Sequence, residues 1–180
     1  MKRIITSILA LTMIFSMAVP AMASDITEAG GDNTVPVSLT VEPATFSVTV
    51  PTQLPITVDI NGDVVAATDA KIVNHSHGSV KVTNIAVEGQ NDWVTVDFDS
   101  AEMHKEKVGS KKVALEINGA KTTGENKLDF ASGNFPKLDG KNDAGTDELP
   151  ITYDAKLPAQ ANALTDVNVV DVTFTISWDE

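Results

Sequence analysis

Two of the three histidines in this sequence lie two residues apart, in Asn74-His75-Ser76-His77-Gly78. On an extended chain, side chains at i and i+2 point to one face. His75 and His77 on a strand would therefore offer two imidazoles to one metal ion. Such a site needs a third protein ligand, and His104, Asp97 and Asp99 are residues of the right type. The flanks favour a plainer reading. A strand-like Lys71-Ile72-Val73 precedes the histidines and Ser79-Val80-Lys81-Val82 follows, with turn-forming Asn, Ser and Gly between. In a turn the two rings no longer share a face by rule. The segment is read as a loop between strands, with His75 and His77 kept as the metal candidates. Asn74-His75-Ser76 is also an N-glycosylation sequon.

Other residues of chemically capable types fit less well. Asp59-Ile60-Asn61-Gly62-Asp63 opens like a calcium loop, but the required Gly and Glu at positions 6 and 12 are Val64 and Ala70. Asn61-Gly62 between apolar runs is a hairpin signal instead. Asp139, Asp143, Asp147 and Glu148 lie in a Gly-rich stretch, where they are read as solvated loop carboxylates. There is no Gly-x-Ser-x-Gly elbow, no His-Glu-x-x-His and no phosphate-cradling glycine loop. Trp93 is out of phase with Val94, Val96 and Phe98, so it is expected at the surface, as the ligand-binding candidate for a glycan. Trp178 is in phase with Val172, Phe174 and Ile176 and is expected in the core.

The elements that position these residues are strands. Apolar residues recur with period two at Val37-Leu39-Val41, Phe46-Val48-Val50, Leu54-Ile56-Val58-Ile60, Val80-Val82 and Ile85-Val87. The phase change near Asn84 predicts a bulge. The pattern continues at Val94-Val96-Phe98, Val113-Leu115-Ile117, Ile151-Tyr153-Ala155-Leu157 and Val170-Val172-Phe174-Ile176-Trp178. Asn118-Gly119 marks a second tight turn. Residues 100–112 lack a helical stripe and are read as a turn or surface loop, and residues 132–150 as the longest exposed loop. The fold class expected is all-β: an antiparallel β-sandwich, jelly-roll-like, with about eight to ten short strands in one domain over 37–180.

The start of the chain reads differently. Lys2-Arg3, an apolar run over Ile4–Val19 and Ala21-Met22-Ala23 have the layout of a signal peptide over residues 1–23, too short to span a bilayer. Residues 24–36 are small, acidic and Gly-rich, a flexible leader. The formal charge of −12 becomes −14 without Lys2 and Arg3, eleven lysines against 25 acids. With no arginine left, a nucleic-acid partner is not expected. No second apolar run suits a membrane span. The absence of cysteine rules out thiol chemistry and disulfides, and an exported protein without disulfides fits a bacterial source.

Several stretches, "FSVTVPTQLPITVDINGDV", "AKIVNHSHGSVKVTNIAV" and the closing "DVTFTISWDE", resemble secreted Firmicute-type β-sandwich matrix proteins of the TasA and camelysin-like kind. The resemblance implies a jelly-roll fold and extracellular fibres formed by passing an N-terminal strand into a neighbouring subunit. It transfers no functional residue, and no zinc-protease motif is present.

The function expected is that of an exported, non-enzymatic structural or adhesive protein of the bacterial cell surface or extracellular matrix. Strand addition is the mechanism, with Val37, Leu39 and Val41 as the donor strand. No cofactor is expected, and the partners are other copies of itself, other surface proteins or a glycan. The alternative is a carbohydrate- or ligand-binding module with Trp93 and the 133–148 loop as its contact surface. A metal-dependent enzyme comes third. Without a lipobox cysteine or C-terminal sorting signal, retention is expected to be non-covalent or through assembly.

Overall fold

The structure, a computed structural model, describes residues 37, 39–59, 63–142 and 144–180. The expected signal peptide (1–23), the leader (24–36) and the Asn61-Gly62 turn lie outside the described residues. The chain divides into two compact units, Met1–Val41 and Glu42–Glu180. In the first, the described residues Val37, Leu39, Thr40 and Val41 form no regular structure.

The second unit is all-β. Its strands are β1 Val48–Thr49, β2 Ile56–Val58, β3 Val64–Ala66, β4 Lys71–Asn74, β5 Val80–Gly89, β6 Val94–Thr95, β7 Lys112–Ile117, β8 Ala120–Gly124, β9 Lys127–Asp129, β10 Glu148–Pro150, β11 Tyr153–Lys156 and β12 Val170–Trp178. Two single-turn 3-10 segments, Met103–Lys105 and Phe130–Ser132, are the only helical elements among the described residues. Among the described residues, twelve strands exceed the eight to ten read from periodicity because β8, β9 and β10 lie in segments that carry no period-two apolar run. A strand exists only as far as a partner backbone accompanies it. Phe46–Val50 keeps pairing only at Val48 and Thr49, and the described residues Val37, Leu39, Thr40 and Val41 of the alternating segment have none.

Among the described residues the strands form four sheets. β1 and β10 flank β4, and β11-β7-β8-β9 run in order with β6 parallel to the start of β7. β12 pairs with β5, and β2 pairs with β3 as a hairpin. The β7–β8 hairpin turns on Asn118 and Gly119, whose positive φ angles of 46° and 87° are those of a type I′ turn. The predicted bulge is present: Thr175 pairs with Asn84 and Ile176 with Val82, so Thr83 is the extra residue. Each side of it then puts its apolar residues inward.

One core draws on three of the sheets. Ile72 and Leu149 come from β4 and β10, Val80, Val82, Ile85 and Val87 from β5, and Leu115, Ile117, Tyr153 and Ala155 from β7 and β11. Each Val, Leu or Ile among them contributes about 1.5–3 kcal/mol when fully buried. The Tyr153 hydroxyl donates to Pro55 O (2.7 Å) and accepts from Ala67 N–H (3.1 Å), fastening the β2–β3 hairpin to β11. The expected long loop is less exposed than its composition suggests. Leu138, 1% exposed, enters the core and exchanges backbone hydrogen bonds with Val80.

Candidate functional site

The Asn74–Gly78 segment joins β4 to β5 across two sheets, and its side chains alternate in burial. Asn74 and Ser76 are fully buried, while His75 and His77 are exposed. Buried polar groups must be hydrogen-bonded, and these are. Asn74 Nδ2 donates to Gly78 O (2.9 Å) and Asp139 O (2.8 Å), and Asn74 Oδ1 accepts from Ser76 N–H (2.9 Å). Ser47 N–H donates to Ser76 Oγ (2.8 Å), and His75 N–H to Ser47 O (2.8 Å). Lys141 N–H donates to Ser76 O (2.8 Å), and Asn74 N–H to Asp147 O (2.8 Å). The corner therefore ties together the entry to β1, the β4–β5 connection and the 139–147 loop.

The histidines gain no third ligand. Among the described residues, no three His, Asp or Glu side chains come together in a metal-binding group. His75 Nε2 lies 3.0 Å from Thr49 Oγ1 instead. The suggested ligands are engaged elsewhere: Asp97 accepts from Ser100, Asp99 pairs with Lys121 at 2.6 Å, and His104 sits in the Met103–Lys105 turn. The inward pair of the motif, Asn and Ser, carries the structural role. The outward pair is left at the surface.

Trp93 is a correction. Expected at the surface as the contact residue for a glycan, it is 4% exposed. The buried row here is Trp93 and Thr95, and Val94 is the exposed residue. Apolar alternation at Val94-Val96-Phe98 misleads because Thr95 is buried with its hydroxyl satisfied: it donates to Gly124 O (2.8 Å) and accepts from Asn126 N–H (2.6 Å). A turn at Asn91 and Asp92, both at positive φ, ends in a Trp93 N–H to Gln90 O bond and sets the ring inward.

The third expected feature is the donor segment. Val37, Leu39 and Val41 are 95%, 83% and 72% exposed, in no strand. No family model, curated protein or solved structure matches this chain. Its function must be read from its own surface. Downstream of the donor segment, Phe46 meets Trp178 edge-on, with centroids 5.2 Å apart and ring planes at 89°. Trp178, expected in the core, is partly buried and lies over Gly78, where a Cβ would stand 3.0 Å from its ring. Sequence periodicity gave no hint of the Phe46–Trp178 pair, because the two rings meet across the whole length of the unit.

The remaining charged cluster surrounds Phe98, a buried ring with Lys156 Nζ 4.2 Å and Lys121 Nζ 5.5 Å from its centroid. Hydrogen bonds from the Ser100 backbone and hydroxyl hold the neighbouring Asp97 carboxyl below the ordinary carboxylate range. The Asp99 carboxylate holds the Lys121 ammonium above its ordinary value. These are solvated ion pairs around a cation–π contact, an arrangement that organises a loop.

Proposed function

We propose that this chain is an exported, non-enzymatic structural or adhesive protein of the bacterial cell surface or extracellular matrix, and that it joins other copies by strand addition. The observation that carries the reading is the donor segment. Val37, Leu39 and Val41 alternate with Ser38 and Thr40, as in a half-buried strand, yet stand 72–95% exposed without a pairing partner. A strand-like sequence with no sheet of its own is what β-augmentation requires of a donor. The acidic surface suits a protein working outside the cell. A β-sandwich of jelly-roll type is the finer fold reading, supported by a shared core to which β4, β5 and β7, each from a different sheet, contribute. The resemblance to TasA and camelysin-like matrix proteins agrees with it. The burial of Trp93 weakens the glycan-binding alternative, which rested on Trp93 together with the 133–148 loop.

Removal of residues 24–41 from the full chain is the test. Size-exclusion chromatography and electron microscopy are expected to show loss of assembly with the fold intact. Unchanged assembly would overturn the reading.

A further inference from the structure

We propose that the outer edge of β12 is the acceptor for this strand addition, and that its occupant is the Val37–Val41 segment of a second copy of the chain. The inference rests on the strand-addition reading and gives it an address.

β12 pairs with β5 along its whole length, from Val170–Gly89 to Trp178–Val80. No strand among the described residues pairs with its other edge. The apolar face of this two-stranded sheet is unevenly covered. On β5, Val80, Val82, Ile85 and Val87 are 0–4% exposed. On β12, Val170, Val172, Phe174 and Ile176 pack against the same core but remain only partly buried. An added strand would complete the cover on the side where it is thin.

The edge also lacks the usual protection. Natural sheet edges are blunted by lysine, proline, bulges or very short strands. β12 is nine residues long, and its outward residues are Asp171, Thr173, Thr175 and Ser177. Neither lysine nor proline is among them, and the bulged residue of this ladder, Thr83, is on β5.

The donor matches the gap. Val37, Leu39 and Val41 have the spacing of Val172, Phe174 and Ile176, and Ser38 and Thr40 match the polar Thr173 and Thr175. Neither five-residue stretch contains a charge, so two acidic copies can meet here without placing like charges opposite one another. Five residues extend about 17 Å, roughly half of β12. Pro43, which lacks an N–H, separates the donor from Phe46, and Phe46 is anchored on Trp178 at the end of β12. A second copy can enter antiparallel, the slightly more stable pairing, with Thr40 across from Thr173 and diagonal to Thr175, within reach of a short cross-linker.

The absence of cysteine makes the test clean. Thr40→Cys and Thr175→Cys variants of the full chain, expressed for export, are mixed and treated with a short bis-maleimide. Mass spectrometry of the cross-linked dimer is expected to find one copy of each variant, with Thr175→Cys alone giving none. The double variant Thr173→Lys/Thr175→Lys, placed on the exposed face to spare the fold, is expected to weaken assembly about tenfold or more while its thermal melt stays near that of the parent. Cross-linking of Thr175→Cys with itself would mean that β12 pairs with β12, and would overturn the proposal. So would assembly that is lost on deletion of 24–41 but keeps its strength in the lysine variant and gives no mixed cross-link; strand addition would then survive with its acceptor elsewhere. Assembly indifferent to the deletion would remove the underlying reading itself.

Discussion

The Asn74 side-chain amide donates to the backbone carbonyl of Asp139 at 2.8 Å, joining positions 65 apart in sequence. The same amide reaches Gly78 O, and its oxygen holds Ser76 N–H. Asn74→Ala would leave these groups buried and unsatisfied, each costing about 1–3 kcal/mol. A loss of about 3 kcal/mol or more is expected in urea unfolding, a large part of a typical domain's stability. His75→Ala, at an exposed position, is expected to change stability by less than about 0.5 kcal/mol.

The same corner makes the Asn74-His75-Ser76 sequon incompatible with its own modification. Both amide hydrogens are donated to carbonyls, and the residue is fully buried. Secreted from a eukaryotic host, the folded monomer isolated by size exclusion is expected to carry no glycan at Asn74. Intact-mass measurement checks this, and a glycan on natively folded protein would contradict the buried corner.

Gly119 sits at φ 87° in the β7–β8 turn. A Cβ there would bring the left-handed penalty of about 1–2 kcal/mol. Gly119→Ala is expected to lower stability by that amount without changing the strands. Gly140 is a different case: a Cβ there would overlap the carbonyl of His77. Gly140→Ala must displace backbone at the Asn74 corner, and its loss is expected to exceed that of Gly119→Ala in the same denaturation series.

Local rules reached further in the strands than at the surface. Period-two patterning located β12, and a phase change at Asn84 located the bulge on its partner β5, because both are written in which face of a strand is apolar. Asn118-Gly119 located a turn through backbone chemistry alone. Three things were hidden. Trp93 faces inward because a threonine, not a valine, shares its buried row once the hydroxyl is bonded. Leu138 enters the core from a stretch whose composition reads as loop. The open edge of β12 depends on which strands pair, and no single strand's sequence states its neighbours. The histidine pair was visible as residue types, but whether a third ligand joins it is decided by distant segments.

Trp93 and Trp178 should be separable by solvent access. Trp93 is 4% exposed and Trp178 is partly buried against Phe46. Acrylamide is expected to quench the Trp93→Phe variant, which retains Trp178, more strongly than the Trp178→Phe variant, which retains Trp93. Trp93→Ala is expected to cost about 3–5 kcal/mol, the range for deleting a buried large aromatic. An exposed contact residue would be lost with little effect on stability, so the size of the change distinguishes the two roles.

The Asp97 carboxyl titrates below its ordinary 3.8 in the folded protein, mainly through hydrogen bonds from the Ser100 backbone N–H and then its hydroxyl. A depressed carboxylate contributes stability that is present above the unfolded value and lost as pH falls through the lower, folded value. Ser100→Ala removes the hydroxyl and keeps the backbone N–H. The Asp97 pKa in carboxyl-detected NMR is therefore expected to rise partway toward 3.8. The small destabilisation caused by the variant at neutral pH is expected to fade as acid protonates Asp97 in both proteins. Lys121 runs in the opposite sense: its folded value is raised above 10.5 by Asp99, so its contribution is present below 10.5 and is lost only as pH rises through the higher value. Asp99→Asn should return the Lys121 titration toward 10.5 and leave Asp97 governed by Ser100. An equal shift of both groups in either variant would show that the two carboxylates act as one site.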